Sequence, residues 1–167
     1  MNAETILLAE DDPNDVILFQ RAMVRASLSA GSLKVVRDGE EAISYLSGKT
    51  IYADRDLYPL PTLLLLDLKM PRKSGLEVLS WLRKQPQFRS LIVVFLTSSN
   101  SAEDIRLAYE GGANSYLVKP VEFTEMVELI KTVSAYWLEL NEKLPLSAAP
   151  ASSEVGRGSN GTSKGLF

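Results

Sequence analysis

The sequence contains neither cysteine nor histidine, and these two absences exclude much of enzyme chemistry. Without cysteine the chain forms no disulfides, no thiolate zinc sites and no cysteine nucleophile. Without histidine it has no serine–histidine triad, no HExxH metal site and no histidine phospho-carrier of its own. A metal site in this chain would therefore use oxygen ligands, the set that Mg²⁺ prefers in proteins.

Long apolar runs and an excess of positive charge are also missing. Runs such as Leu63 to Leu66 are far shorter than the roughly 20 residues of a membrane-spanning helix. The first residues lack the basic segment that is typical of a signal peptide. The net charge of −3 provides no positive field to gather nucleic acid or anionic lipid. We therefore expect a cytoplasmic protein that binds neither nucleic acid nor membranes.

The composition predicts one globular domain followed by a polar tail. The chain has 167 residues, of which 46% are apolar and 23% charged, values that are typical of globular domains. Residues 145–167 contain 14 Gly, Ala, Pro or Ser among 23 residues. We predict a folded domain over residues 1–144 and a disordered, low-complexity tail over residues 145–167, because such a tail buries too little apolar surface to fold.

Hydrophobic periodicity predicts five strands that alternate with five helices. The predicted strands cover residues 5–9, 33–36, 63–66, 91–96 and 115–118, and the helices begin near residues 13, 40, 75, 101 and 122. Asp12 is the predicted cap of the first helix, whose first turn contains Asp15. Residues 49–61 follow neither period and are predicted to form a long surface loop. The order predicts a doubly wound α/β fold, in which helices cover both faces of a five-stranded parallel sheet.

Polar side chains follow four of the predicted strands, at the point where each strand ends. Glu10 and Asp11 follow the first strand, Asp67 the third, Thr97 the fourth and Lys119 the fifth. The carboxyl ends of parallel strands meet at one edge of the sheet, so these side chains are expected to lie close together.

This group of side chains fits a metal-assisted phosphoryl site. Clustered carboxylates repel one another, and a divalent cation such as Mg²⁺ relieves that repulsion. Lys119 and the Thr97 hydroxyl could then bind the oxygens of a phosphoryl group. Because Asp67 follows a strand that is apolar at every position, its carboxylate is the predicted nucleophile, which would become an aspartyl phosphate.

Four motifs resemble the receiver domain of two-component response regulators, the CheY-like superfamily with its flavodoxin-like fold. They are LLAEDDP, LLLLDLKMPRKSG, VVFLTSS and SYLVKP, and the resemblance covers roughly residues 4–140. Asp67 and Thr97 are 30 residues apart and Thr97 and Lys119 are 22 apart, spacings similar to those of the family. The resemblance implies that a sensor histidine kinase or a phosphotransfer protein supplies the phosphoryl group and that a protein partner receives the signal.

The resemblance also assigns roles to individual residues. It implies that Asp67 is the phosphoacceptor and that Lys119 and Thr97 assist the reaction. Asp11, Asp67 and the backbone carbonyl of Lys69 would bind Mg²⁺ directly, and Glu10 would act through a water molecule on the metal.

A conformational switch is the second consequence of the resemblance. Thr97 would move onto the phosphoryl group, and the aromatic side chain of Tyr116 would turn inward in response. The family also implies a cis peptide bond between Lys119 and Pro120. Beyond its own phosphorylation and dephosphorylation, the chain is not expected to act as an enzyme. No effector domain is expected after residue 144.

Three longer segments indicate which group within the receiver family this chain resembles. The 49–61 loop and the sequences VVRDGEEAISYL and AYWLELNEKLP are similar to small stand-alone receivers that partner phytochrome-type sensor kinases. The last predicted helix is longer than the strands, and it carries Tyr136, Trp137, Leu138 and Leu140 near its end. These side chains either form a homodimer or partner contact or cover the lower edge of the domain itself.

Three other functions compete with this hypothesis. A receiver-like interaction module that no longer accepts phosphate is the first alternative, although the complete set of site residues argues against it. An aspartyl-nucleophile phosphatase would need a second carboxylate two residues after Asp67, where this chain has Lys69. A nucleotide-binding enzyme would need a glycine-rich phosphate loop after a strand, and none is present.

Overall fold

The fold alternates strands and helices along the chain, as the periodicity predicts. A computed structural model describes residues 4–29, 32–144 and 146. Within these residues the elements are β1 (Ile6–Ala9), α1 (Pro13–Arg25), β2 (Leu33–Val36), α2 (Gly39–Ser47), β3 (Leu63–Leu66), α3 (Gly75–Lys84), β4 (Ile92–Thr97), α4 (Ala102–Glu110), β5 (Ser115–Val118) and α5 (Phe123–Ser134). The predicted element order is confirmed.

All five strands of the described chain form one parallel sheet in the order β2-β1-β3-β4-β5. At the carboxyl end of the central strand, Leu66 pairs with Ala9 of β1 and Phe95 of β4. The residues that follow β1 and β3 therefore leave the sheet side by side. This register places the predicted site residues at one edge, at the point where the strand order reverses.

Two apolar cores cover the sheet, one on each face. Alternate residues of β3 belong to different cores, Leu64 and Leu66 to one and Leu63 and Leu65 to the other. The first core includes buried side chains of α2 and α3, and the second includes those of α1 and α5. A strand between two helical layers has no polar face, which is why every residue of β3 is apolar.

Local signals set the ends of several helices. Asp12 caps α1 by accepting a hydrogen bond from the Asn14 amide at 2.8 Å, as the sequence predicts. Ser74 and Glu77 form a reciprocal capping box at the start of α3. Gly48 ends α2 at a φ of 65°, in the left-handed region that glycine adopts without strain.

The segment from 49 to 61 differs from the predicted irregular surface loop. It contains a short 3₁₀ helix, Thr50–Ala53, and its residue Tyr52 is buried. The rings of Tyr45, Tyr52 and Tyr58 pack together, with centroids 5.0 to 6.0 Å apart. Periodicity cannot detect this packing, because the three rings come from different local structures and meet only in the folded chain.

The last helix reaches Leu140, as predicted, but changes its winding after α5. Residues Ala135–Leu140 form a π-helix that continues directly from Ser134. Trp137 and Leu138 pack against the core beside α1 and α5, whereas Tyr136 and Leu140 are exposed. The predicted disordered tail, residues 145–167, lies outside the described residues except for Leu146. Among the helices that the structure describes, none is long and apolar enough to cross a membrane.

Candidate functional site

Three carboxylates converge at the carboxyl edge of the sheet. The backbone amide of Asp67 donates to the carbonyl of Ala9 at 3.0 Å, which ties the end of β3 to the end of β1. One carboxylate oxygen each of Glu10, Asp11 and Asp67 lies within 4.8 Å of the other two. Glu10 and Asp67 are buried and Asp11 is exposed, so the cluster opens to solvent on one side.

Lys119 reaches into this cluster from β5. Its ammonium group donates to Glu10 and, at 2.8 Å, to Asp15, and it lies 3.5 Å from Asp67. Its backbone amide donates to the carbonyl of Thr97 at 2.8 Å, which fixes the lysine beside the end of β4. Lys119 is thus the cation that the acidic cluster shares.

Burial, hydrogen bonds and neighbouring charges shift two pKa values in the cluster. Burial raises the pKa of the Glu10 carboxyl well above its ordinary value, and the charge of Asp67 adds to this shift. For Lys119, burial opposes the charged form, but hydrogen bonds to Asp15 and Glu10 outweigh it and raise the pKa of the ammonium. Burial and the charge of Asp67 thus both disfavour the ionised form of Glu10, and a further cation at the site would favour it.

Asp15 is a site residue that the sequence analysis missed. From the sequence, Asp15 is expected only to stabilise the first turn of α1, where acidic residues are common. In the folded chain its carboxylate is closer to Lys119 than that of Asp67 is. Its position directly after the acidic loop that follows β1 is the one sequence signal that could have indicated this role.

The two carboxylate oxygens of Asp67 have different surroundings. The amide of Leu68 donates to Oδ1 at 2.7 Å, whereas Oδ2 faces Lys119. Gly75, at the start of α3, lies so close that a Cβ atom there would be 2.2 Å from the Asp67 carbonyl oxygen. Lys69 lies two residues beyond Asp67 in the same loop, with an exposed side chain. The loop thus holds the Asp67 carboxylate at the surface of the cluster.

The predicted switch residues are connected through Ser99. Thr97 is buried, and its hydroxyl oxygen accepts a hydrogen bond from the Ser99 amide at 3.4 Å. The Tyr116 hydroxyl donates to the Ser99 carbonyl at 2.9 Å, and its ring stacks on that of Phe95. The Ser99 hydroxyl donates in turn to Asp104 of α4 at 2.5 Å. A movement at Thr97 would therefore reach both β5 and α4.

One expectation taken from the family resemblance is wrong for this structure. No cis peptide bond occurs in the described residues, so the bond between Lys119 and Pro120 is trans. The trans form is intrinsically favoured before proline by about 0.5–1 kcal/mol. Lys119 nevertheless reaches the acidic cluster.

A family model described as the response regulator receiver domain matches residues 6–131 of the chain. Two curated relatives align over most of their length. The probable methanogenesis regulatory protein FilR2 of Methanothrix harundinacea is 36% identical, covering 81% of this chain and 84% of its own. The response regulator Rcp1 of Synechocystis sp. is 32% identical, covering 81% of this chain and 90% of its own.

Solved structures of similar proteins have the same fold. RPA3017, a response regulator in red light signaling of R. palustris, has a TM-score of 0.80 at 38% identity, covering 85% of this chain and 99% of its own. The phosphorylated cyanobacterial phytochrome response regulator RcpA has a TM-score of 0.76 at 31% identity, covering 84% and 97%. The Mn²⁺-bound form of Rcp1 has a TM-score of 0.74 at 31% identity, covering 85% and 99%.

Proposed function

This chain belongs to the response regulator receiver family, and on that basis we propose that Asp67 accepts a phosphoryl group from a histidine kinase or a phosphotransfer protein. The observation that carries the proposal is the convergence of Glu10, Asp11, Asp67 and Lys119 at one edge of the sheet. A receiver needs acidic metal ligands, an acceptor carboxylate and a cation in one place, and these four side chains supply them. Transmission of the signal to a protein partner completes the proposed function.

The donor set of the site fits Mg²⁺. Three carboxylates supply only oxygen ligands, and their oxygens are close enough together to share one ion. We assign Asp11, Asp67 and the carbonyl of Lys69 as direct ligands, and Glu10 as a ligand through water. A bound divalent cation would neutralise negative charge on the carboxylates and the phosphoryl oxygens. The Mn²⁺-bound form of Rcp1 supports a divalent-cation site in this chain.

The transfer step uses the Asp67 carboxylate as the nucleophile. An Asp67 oxygen forms a bond to phosphorus while the bond between phosphorus and the donor histidine nitrogen breaks, and the imidazole leaves with the electron pair. Lys119 lies 3.5 Å from Asp67, and its ammonium group would stabilise the negative charge of the phosphoryl oxygens. The chain then carries an aspartyl phosphate. Hydrolysis of this group by water returns Asp67 to the free carboxylate.

The proposed switch begins at Thr97. Oxygens of the phosphoryl group offer its hydroxyl a stronger hydrogen-bond acceptor than the neutral groups around it. Movement of Thr97 would alter the Ser99 amide contact and, through the Ser99 carbonyl, the position of Tyr116. We expect α4, β5 and α5 to present the changed surface to the partner.

A phytochrome-type sensor kinase is the proposed phosphoryl donor. RPA3017 is a response regulator in red light signaling, and RcpA is a phytochrome response regulator. Both relatives support this assignment. FilR2 shows that relatives of similar identity are also found outside light signalling. Phosphotransfer rates from a phytochrome-type kinase and from an unrelated histidine kinase test the assignment. Equal or slower transfer from the phytochrome-type kinase would contradict it.

The acceptor assignment is tested by intact mass after incubation with Mg²⁺ and a small acyl phosphate. The wild-type chain should gain the mass of one phosphoryl group, and Asp67→Asn or a chelator should abolish the gain. If wild type gains nothing, the same experiment with a beryllium fluoride complex follows. A second negative result would favour the interaction module that does not accept phosphate.

A homodimer through the end of the last helix is a further part of the proposal. Tyr136 and Leu140 are exposed there, whereas Trp137 and Leu138 are partly used by the core of the same chain. Two exposed apolar side chains support a small contact surface. A sedimentation coefficient that rises with protein concentration would support the dimer, and a monomer at all concentrations, with and without a phosphodonor, would contradict it.

A further inference from the structure

The loop between β3 and α3 contains a strained residue whose exposed side chain pairs with a buried carboxylate. Arg72 has a φ of 65°, in the left-handed region that disfavours residues with a side chain. Its guanidinium donates to Oδ2 of Asp38 at 2.5 Å. The Asp38 side chain is only 2% exposed, although the Arg72 side chain is largely in solvent. The contact with Asp38, a carboxylate that has little access to water, therefore stabilises the strained backbone of Arg72.

Asp38 lies at the start of α2 and has two partners. Its Oδ1 accepts a hydrogen bond from the Glu41 amide at 2.9 Å and so caps the helix, while its Oδ2 takes the arginine. The next residue, Gly39, touches the same loop, because a Cβ atom there would lie 2.2 Å from the Lys73 carbonyl oxygen. The loop between β3 and α3 is thus fixed to the start of α2 at two adjacent points.

The other end of this loop belongs to the phosphoryl site. It begins at Asp67 and includes Lys69, whose carbonyl is a proposed metal ligand. The base of the loop is closed by the Gly75 amide, which donates to the Leu68 carbonyl at 2.9 Å. Lys69 therefore lies between this closure and the contact with α2, and Asp67 lies directly before the closure. A partner that fixes ligand-bearing backbone from outside the metal site commonly tunes metal affinity.

We propose that Arg72 is a positioning residue for the metal site: its ion pair with Asp38 clamps the loop between β3 and α3 so that Asp67 and the Lys69 carbonyl bind a divalent cation together. The inference rests on the proposed function, because it takes those two groups as metal ligands. It adds to that function a residue pair that does not touch the acidic cluster. Loss of the clamp would leave the acidic side chains in place but weaken their joint hold on the cation.

Four variants distinguish the loss of the Arg72–Asp38 ion pair from a general disturbance of the fold. Arg72→Ala removes the positively charged side chain. Arg72→Lys keeps a positive charge at the same strained backbone position. Asp38→Asn removes the negative charge but retains a side-chain oxygen that can cap α2. The double variant Arg72→Ala/Asp38→Asn tests whether the two residues act as one. Lys131→Ala, which breaks an exposed ion pair with Glu128 on α5, is the matched control.

The readout is the dissociation constant for Mn²⁺, measured by electron paramagnetic resonance of the free ion. Arg72→Ala and Asp38→Asn should each weaken binding about tenfold, the range seen when partners outside the ligand set are removed. Arg72→Lys should recover most of the affinity, and the double variant should lose no more than either single variant, since one interaction is removed in each case. Lys131→Ala should bind as wild type does.

Phosphorylation by the small acyl phosphate provides a second readout. The clamp predicts that Arg72→Ala needs more Mg²⁺ for half its maximal rate but reaches the wild-type rate when Mg²⁺ is saturating. A rate that stays low at saturating Mg²⁺ would contradict the clamp, because it would place Arg72 in the chemical step instead.

Other outcomes would also overturn the proposal. Unchanged Mn²⁺ affinity in Arg72→Ala and Asp38→Asn, with wild type binding normally, would refute the clamp and leave the proposed function intact. Additive losses in the double variant would show that the two residues act separately. If wild type itself neither binds Mn²⁺ nor accepts phosphate, the proposed function fails first and the clamp fails with it.

Discussion

At the scale of single residues, the division of Lys119 among several carboxylates is the feature with the most direct chemical consequence. The lysine contacts Glu10 and Asp15 more closely than Asp67, the proposed acceptor. Asp15 is also partly exposed, so removing its charge does not leave a buried group without a partner. Asp15 would therefore compete with the proposed phosphoryl group for the same ammonium.

The first prediction concerns Asp15→Asn. Removing this carboxylate frees Lys119 for the incoming phosphoryl oxygens and lowers the repulsion felt by an anionic donor. We expect the initial rate of phosphorylation by a small acyl phosphate to rise about two- to fivefold, corresponding to about 0.5–1 kcal/mol. The rate of mass gain with saturating Mg²⁺ measures this effect.

Glu125→Gln on α5 is the control for the change in net charge, and its rate should equal that of wild type. A slower rate in Asp15→Asn would reverse the interpretation. It would mean that Asp15 holds Lys119 in its working position instead of competing for it.

At the scale of secondary-structure elements, the segment from 49 to 61 is attached to α2 by one side chain. Arg55 donates to the carbonyls of Tyr45 and Leu46, at the end of α2, and to the carbonyl of Tyr58 within the segment. Gly48 packs directly against the guanidinium. Arg55 thereby satisfies backbone acceptors that the helix end and the loop would otherwise direct towards solvent or leave unpaired.

The second prediction is that Arg55→Ala lowers the free energy of unfolding by about 2 kcal/mol. Hydrogen bonds from a charged donor contribute about 1.5–3 kcal/mol, and water that replaces the guanidinium recovers part of this. Urea denaturation followed by far-UV circular dichroism measures the change. Arg106→Ala on α4 is the matched control.

The control arginine also makes several contacts, but in solvent. Arg106 pairs with Glu103 and Glu110 on the exposed face of α4, where ion pairs contribute at most about 1 kcal/mol. If both variants lose the same small amount, Arg55 does not hold the segment to α2, and the tyrosine packing alone attaches it.

At the scale of the whole molecule, the acidic cluster ties stability to divalent cations. The site brings the carboxylates of Glu10, Asp11 and Asp67 together, and Lys119 pairs with two of them, Glu10 and Asp67. Folding creates this repulsion, because the unfolded chain keeps residues from β1 and β3 apart. A cation that binds only the folded state relieves the repulsion and shifts the folding equilibrium towards that state.

The third prediction is that Mg²⁺ at ten times its dissociation constant stabilises the fold by about 1.4 kcal/mol. For a domain of this size the melting temperature should rise by about 4 °C. Differential scanning calorimetry with Mg²⁺, and again after addition of a chelator, checks the effect and its reversal. Sodium chloride at matched ionic strength is the control for general screening.

Asp11→Asn gives the contrasting result. Asp11 is the exposed member of the cluster, so its replacement should leave the fold intact while removing most of the Mg²⁺-dependent stabilisation. An equal rise in melting temperature for Asp11→Asn and wild type would show that the ion binds elsewhere.

The sequence predicted much of the fold and most of the site. The bounds of β2, β3, α3 and β5 follow directly from apolar patterns, glycine positions and caps. The convergence of Glu10, Asp11, Asp67 and Lys119 follows from one rule, that parallel strands end at the same edge of a sheet. Each of these inferences uses only local pattern or strand order, both of which are readable along the chain.

Other features escaped the sequence analysis for a common reason. The burial of Tyr52, the π-helical winding after Ser134 and the trans bond before Pro120 are outcomes of packing or of small energy differences between conformers. Amino-acid patterns carry no clear signal for such outcomes. The ion pair of Arg72 likewise has no local signal, since its partner Asp38 lies 34 residues earlier.

The amino-acid pattern was enough to predict the layers of this protein, the order of its elements and the edge of the sheet at which the site residues lie. It did so because hydrophobic period and strand-end residues are local properties of the chain. In contrast, the carboxylates that share Lys119 and the residue that clamps the loop after Asp67 are known only from the folded chain. Asp15 and Lys119 are 104 residues apart, and their contact depends on how α1 packs beside α5, which is a property of the assembled core and of no single segment.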